Sequence, residues 1–130
     1  MNNKQRGTEF EQEWCDYLAR KGYWAHFIEP KQSGAQPFDV IAYKDCEMYA
    51  YDCKTLSGNR FALSNFRENQ RMAFEMLYER GCMTCALVIK TDDYGVYLIP
   101  YQVLMEAISR DLVSIKVTDY EIYRLECYPN

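Results

Sequence analysis

Residues 37–55 read Pro37-Phe-Asp39-Val-Ile-Ala-Tyr43-Lys-Asp45-Cys-Glu47-Met-Tyr49-Ala-Tyr51-Asp52-Cys53-Lys54-Thr55, and this stretch decides the fold. Phe38 to Tyr43 has the make-up of a strand, Lys44-Asp45 turns the chain, and Glu47 to Thr55 forms the next strand. Together they predict a hairpin. Side chains alternate across a strand, so Tyr49, Tyr51 and Cys53 share one side, and Ala50, Asp52 and Lys54 the other. Asp52 and Lys54 then stand about 7 Å apart along the strand. Asp39 interrupts a segment otherwise fit for burial. A carboxylate there needs a partner, because an unpaired buried charge is costly or is neutralised by protonation. If the hairpin sets Asp39 beside Asp52, two like charges meet, and such a pair shares a proton or binds a cation.

Working outward, Thr8 to Lys21 predicts a helix, with Phe10, Trp14, Tyr17 and Leu18 on one face and Gly22 as the stop. Glu11 borders that inward face. It fits either a site acid or the far end of a Thr8-x-x-Glu11 capping box, and both readings stand at this point. Tyr23 to Glu29 is a first strand, followed by the loop Pro30–Pro37. Beyond the hairpin, Ser57–Arg60 is a polar loop and Asn65 to Arg80 a second helix, with Phe66, Gln70, Ala73, Phe74 and Leu77 on one face and Gly81 at its end. Met83 to Lys90 and Val96 to Pro100 are strands, Tyr101 to Arg110 a third helix, and Tyr120 to Leu125 an edge strand. The order α-β-β-β-α-β-β-α-β predicts an α/β fold. Three strands form a meander, and a helical crossover leads to a strand parallel to one of them, giving a mixed sheet flanked by helices.

With 130 residues, 48% hydrophobic and 26% charged, the chain is expected to fold as one domain over 1–130. No apolar run approaches the ~20 residues of a membrane span. The polar N-terminus is no signal peptide, so a cytoplasmic protein with reduced thiols is expected. Net charge is −4, which argues mildly against nucleic acid. The deficit is uneven, however. Residues 1–71 hold ten basic against ten acidic side chains, and residues 72–130 five against nine. Cations bound by site acids in the first part would offset charge there. Cys82 and Cys85 form a CxxC, a spacing used for zinc or redox chemistry. A four-cysteine zinc site needs a second such pair, and none exists. Cys85 also opens the apolar run Cys85–Ile89, where cysteine packs as a small hydrophobe, which is the favoured reading.

A divalent metal resolves the Asp39–Asp52 conflict. Mg²⁺ (or Mn²⁺) takes carboxylate oxygens, waters and substrate phosphate, activates water and neutralises charge developing on a phosphodiester. Lys54 then supplies a compact cation at the attacked phosphate or beside the attacking water. Gln70, polar within an apolar stripe, needs a partner, and a core amide bonded to backbone would satisfy it too. Alone, Asp-x12-Asp-x-Lys is a weak pattern, since many strands carry Asp-x-Lys as a solvated pair.

The wider context carries more. Pro37-Phe-Asp39 followed by Asp52-Cys-Lys54 resembles the PD-(D/E)xK nuclease motif. Gly7-Thr-Glu-Phe-Glu11, Lys21-Gly22 and Phe61-Ala-Leu-Ser-Asn-Phe-Arg-Glu-Asn-Gln70 resemble RecU-type Holliday junction resolvases over roughly residues 4–100, the Phe61–Gln70 block being the most specific. The resemblance implies a restriction-endonuclease-like core. It places metal ligands on Asp39, Asp52 and Gln70, a transition-state-stabilising lysine on Lys54, and the N-terminal helix acid on Glu11. It also implies DNA, branched or four-way, as partner, and a homodimer. The chain departs in carrying Asp52 where Glu is usual. It has Gln36-Pro37 where a metal-contacting Thr is expected, and it is too short for the insertion that enters the junction centre. Lys4, Arg6, Lys31, Gln32, Arg60, Arg67 and Arg71 are the expected DNA-backbone contacts, Arg67 and Arg71 lying one helical turn apart. His26 is read as a structural or surface residue, and Met72 and Met76 as core or dimer-interface residues. Two alternatives remain: a duplex-specific restriction- or repair-type endonuclease on the same fold, and an inactive nuclease-like DNA-binding module.

Overall fold

The computed structural model describes residues 3–29 and 36–130, without the side chains of residues 3 and 4. Strands β1 (Trp24–Phe27), β2 (Val40–Lys44) and β3 (Glu47–Leu56) form the expected antiparallel meander. The β2–β3 turn sets the register of the two acids. Asp45 and Cys46 both take positive φ, 53° and 66°, as a two-residue type I′ turn requires. That turn pairs Lys44 with Glu47, and the same register carries Val40 to Tyr51. Val40 is the last paired residue, and Asp39 lies in a bend just before it. The Asp39 N–H also donates to the Tyr51 carbonyl, at 3.0 Å, which holds Asp39 beside the strand that carries Asp52.

From β3 the chain runs through β4 (Arg60–Ala62) and a 3₁₀ turn (Leu63–Asn65) into α2 (Glu68–Glu79). This helix carries it to β5 (Cys85–Thr91), which lies parallel to β3 with Asp52 beside Leu87. β6 (Val96–Pro100) pairs antiparallel to β5 and completes a five-stranded mixed sheet in the order β1-β2-β3-β5-β6. α3 (Tyr101–Ser109) comes next, and β7 (Ser114–Lys116) pairs with β4 in a separate two-stranded sheet.

Alternation along the strands builds two cores. On one face α1 (Asn3–Arg20) lays Phe10, Trp14 and Leu18 over Val40, Ala42, Tyr51, Cys53 and Val88. On the other, Phe74 of α2 and Leu104 of α3 cover Ala50, Leu87 and Ile89. Buried on both faces, Cys85–Ile89 can be continuously apolar, as parallel central strands generally are. Phe74 is fully buried; truncating such a residue to alanine costs about 3–5 kcal/mol.

Several expectations are corrected. Residues 120–125 are not an edge strand. Val117–Tyr123 is a 3₁₀ segment kinked at Tyr120 (φ −109°, ψ 45°), after which Arg124 makes one bridge to Tyr97. The Leu125 N–H donates to the Val96 carbonyl at 2.8 Å, so this segment covers the edge of β6 without adding a strand. The polar loop after β3 runs into β4, a strand too short to show a period. Helix α2 starts at Glu68, because Leu63–Asn65 takes a 3₁₀ turn ahead of it. Helix α1 starts at Asn3, which leaves Thr8 inside the helix and removes the capping-box reading of Glu11. Met72 and Met76 are half exposed, so of the two readings given them the core is removed and the dimer interface stays open. His26 is exposed on β1, as expected. No described helix is long and apolar enough to cross a membrane.

Candidate active site

The hairpin register delivers the first two acids. Asp39 is 7% exposed and Asp52 0%. The Asp39 carboxylate is held in place because its Oδ2 accepts the Cys53 backbone N–H at 2.8 Å, a charge-assisted bond inside the core. Asp52 has no such support. Among the described residues, neither of its buried oxygens has a well-directed hydrogen bond. The Lys54 ammonium lies 3.0 Å from Oδ2 as an ion pair, and the Asp39 carboxyl is the other polar neighbour of Asp52. Burial first, and then the Asp39 charge, push the Asp52 carboxyl well above its usual range, with Lys54 pulling the other way. A carboxylate so placed is one of the costliest groups a fold can carry.

Lys54 is held from its other side. Its Nζ donates to Gln70 Oε1 at 3.1 Å. The same oxygen accepts the Arg67 backbone N–H at 3.1 Å, so Gln70 both caps α2 and anchors Lys54. Glu11 approaches from α1. It is half-buried, and its carboxyl is pushed up to about 7 by burial and then by Asp39, with Lys54 opposing. Four elements thus converge: the start of β2, the end of β3, α1, and the first turn of α2.

This point opens to solvent through a cleft of about 550 Å³, lined among others by Arg6, Lys54, Thr55, Ser57, Asn65 and Arg67. Arg6 is tethered to its rim by an ion pair with Asp92 Oδ1, and Asp92 Oδ2 accepts the Ser57 hydroxyl at 3.1 Å. A smaller cavity of about 190 Å³ shares Arg6 and Thr55 but adds Glu9, Glu13 and Lys90. Neither opening is lined by the buried acids themselves; Lys54 is the member of the cluster that reaches the larger one.

The structure therefore brings together Glu11, Asp39, Asp52, Lys54 and Gln70, with Arg6 and Arg67 at the cleft wall. It does not bring in Arg60, whose Nη1 donates to Ser114 Oγ at 3.2 Å on the small sheet. Nor does it bring in Arg71, which borders a different groove with Phe66, Ile108 and Val113. One turn of helix separates Arg67 from Arg71 and still places them on different openings. Lys31 and Gln32 lie outside the described residues, as does the Lys4 side chain.

Two polar groups near the cleft carry no signal in the sequence. Gln36 Oε1 is buried with no partner among the described residues, and the Gln36 carbonyl accepts Asn69 Nδ2 at 3.1 Å. Nothing in a loop Gln-Pro distinguishes such a residue. Asp92 is the other, since a turn aspartate is ordinarily solvated.

Among the described residues, no three His, Cys, Asp or Glu side chains gather closely enough to hold a metal by themselves. Two adjacent carboxylates, one with both oxygens lacking hydrogen bonds, still fit a hard cation that completes its shell with water and phosphate.

No protein-family model and no curated protein matches this chain. Among solved structures it is similar to Hjc of Archaeoglobus fulgidus, a Holliday junction resolvase from an archaeal hyperthermophile. The TM-score is 0.59 at 17% identity, covering 75% of this chain and 74% of that one. The likeness is one of fold, and the mixed sheet flanked by helices is common to both.

Proposed function

We propose that this chain is a metal-dependent endodeoxyribonuclease of branched DNA, working as a homodimer with one site per domain. The observation that carries this reading is Asp52: a fully buried carboxylate without a directed hydrogen bond, beside Asp39 and paired to a lysine that lines an open cleft. Such a group destabilises the fold unless the two acids share a proton or a cation, and a cation is the choice that also supplies chemistry. Asp39 and Asp52 would hold Mg²⁺ or Mn²⁺, which when bound supplies an activated water and neutralises charge on the phosphodiester.

The remaining steps belong to the chain's own residues. Lys54 donates to a non-bridging phosphate oxygen as negative charge grows there. Gln70 holds Lys54 at the correct height; its oxygen is already engaged by Lys54 and the Arg67 N–H, so we assign it positioning in place of metal ligation. Glu11, with a carboxyl near neutrality, can exchange a proton at the mouth of the site. Arg6 and Arg67 guide the sugar–phosphate backbone along the cleft.

Likeness to the fold of a Holliday junction resolvase and the Phe61–Gln70 sequence block support branched DNA as the substrate class. Paired cuts across a two-fold symmetric junction need two sites, which supports the homodimer. The test is cleavage of a synthetic four-way junction against linear duplex of the same sequence, with and without Mg²⁺. Mg²⁺-dependent cutting that prefers the junction is expected, and none by Asp39→Ala. Equal cutting of duplex would move the reading to a restriction- or repair-type enzyme. Binding without cutting would move it to a DNA-binding module.

A further inference from the structure

The CxxC lies away from the cleft, in the connection from α2 to β5. Cys85 begins β5 beside Ala50 and is 1% exposed, whereas Cys82 is half-buried. All six cysteines are free, and the Cys85 thiol points at the Cys82 sulfur with 3.9 Å between the two atoms. Cys82 Sγ also lies 3.6 Å from the Met48 carbonyl and 3.5 Å from Thr84 Oγ1. A groove of about 310 Å³, lined by Cys46, Glu47, Met48, Arg80, Cys82 and Thr84 among others, exposes Cys82 to small solutes.

A soft-metal site would need three or four ligands, and no such group occurs among the described residues. What the pair does offer is two free sulfurs already in contact at 3.9 Å. An S–S bond of ~2.05 Å needs the sulfurs to close by about 2 Å, which side-chain rotation at the non-strand Cys82 can supply. We infer that Cys82 and Cys85 form a dithiol modification site that is reversibly oxidised by a low-molecular-weight disulfide, stapling the end of α2 to the start of β5.

The exchange runs in two balanced steps. The Cys82 thiolate attacks one sulfur of the oxidant, forming a mixed disulfide and expelling one thiolate. The deprotonated Cys85 then attacks Cys82 Sγ, forming the internal bond and expelling the second thiolate. The protein loses two protons and two electrons, and the oxidant is reduced to two thiols. Burial, and then proximity of Cys82, push the Cys85 thiol up to about 12. The second step is therefore the slow one, and its rate climbs about tenfold per pH unit above neutrality.

The test treats the folded, reduced full chain with a small disulfide, alkylates the remaining thiols and digests with trypsin. Residues 81–90 form one tryptic peptide that holds both cysteines and no other. In the wild type this peptide should become lighter by two hydrogens and resist alkylation until a reductant is added. Cys85→Ser should instead trap the oxidant's adduct on Cys82, and Cys82→Ser should form none at Cys85, with thermal melts of both reduced variants confirming that they fold. A peptide that stays fully alkylated would overturn the site. So would a crosslink from Cys82 to Cys46, or a wild-type adduct that persists at alkaline pH as fully as that of Cys85→Ser.

Discussion

Two lysine–carboxylate pairs stand on neighbouring parallel strands, and they are built differently. Lys90 on β5 binds Glu13 through both carboxylate oxygens, at 3.1 and 3.0 Å, and the Tyr128 hydroxyl donates to the same group at 2.7 Å. Both side chains of that pair are partly exposed, at 42% and 33%. Both carboxylate oxygens are engaged, and the pair ties α1 to β5 and the C-terminal segment. Lys54 on β3 binds a fully buried Asp52 that receives no directed hydrogen bond, with a second carboxylate alongside. The first pair is saturated by protein groups and solvent. The second leaves a buried carboxylate beside another acid, and the proposed chemistry rests on that difference.

The contrast can be broken by mutation. The largest effect is expected from Asp52→Asn, which should reduce junction cleavage to background in a gel assay while raising the melting temperature in chelator, because a strained charge is removed. Lys54→Ala should lower the single-turnover rate by about 10²–10³-fold, the usual cost of one charge-stabilising donor. Gln70→Leu leaves Lys54 in place but unanchored, and should cost about 10–100-fold, as loss of a supporting partner does. Glu13→Gln on the other pair should leave cleavage unchanged and cost about 1 kcal/mol or less in denaturant unfolding, since the pair is exposed enough for solvent to screen it.

The pH dependence sharpens the same comparison. An acid whose folded value is raised binds its proton more tightly in the folded chain, so its stabilising contribution is present at low pH and is lost as pH rises. For Glu11 the loss spans about pH 4.5 to 7, from the ordinary carboxylate value to the raised one. Melting temperature in chelator should therefore fall more steeply across that window in the wild type than in Glu11→Gln. A steeper fall in the variant would place Glu11 in a different environment.

Much of this is legible in the sequence, for identifiable reasons. The meander, the crossover and the nearness of Asp39 to Asp52 derive from a two-residue turn and strict alternation, both local properties. Glu11 is ambiguous there because its two readings differ only in where α1 begins, and the helix extends back to Asn3 through polar residues with no apolar period. The β4–β7 sheet and the 3₁₀ segment over Val117–Tyr123 leave no trace because three-residue strands and kinked turns carry no period. Charge and spacing do not say which groove a surface borders, so they could not separate Arg6 and Arg67 from Arg60 and Arg71, which lie away from the cleft. Gln70 declares its need for a partner, but only the fold shows that one oxygen serves both Lys54 and the helix N-terminus.

On the proposed reading, Asp52 and Asp39 together take up a cation that the Lys90–Glu13 pair does not. Calorimetric titration of Mn²⁺ into the wild type, Asp52→Asn and Glu13→Gln tests this most directly. Saturable uptake by the wild type and Glu13→Gln, with affinity weakened at least about tenfold in Asp52→Asn, is the expected result. Equal uptake by all three proteins, or none by the wild type, would contradict it.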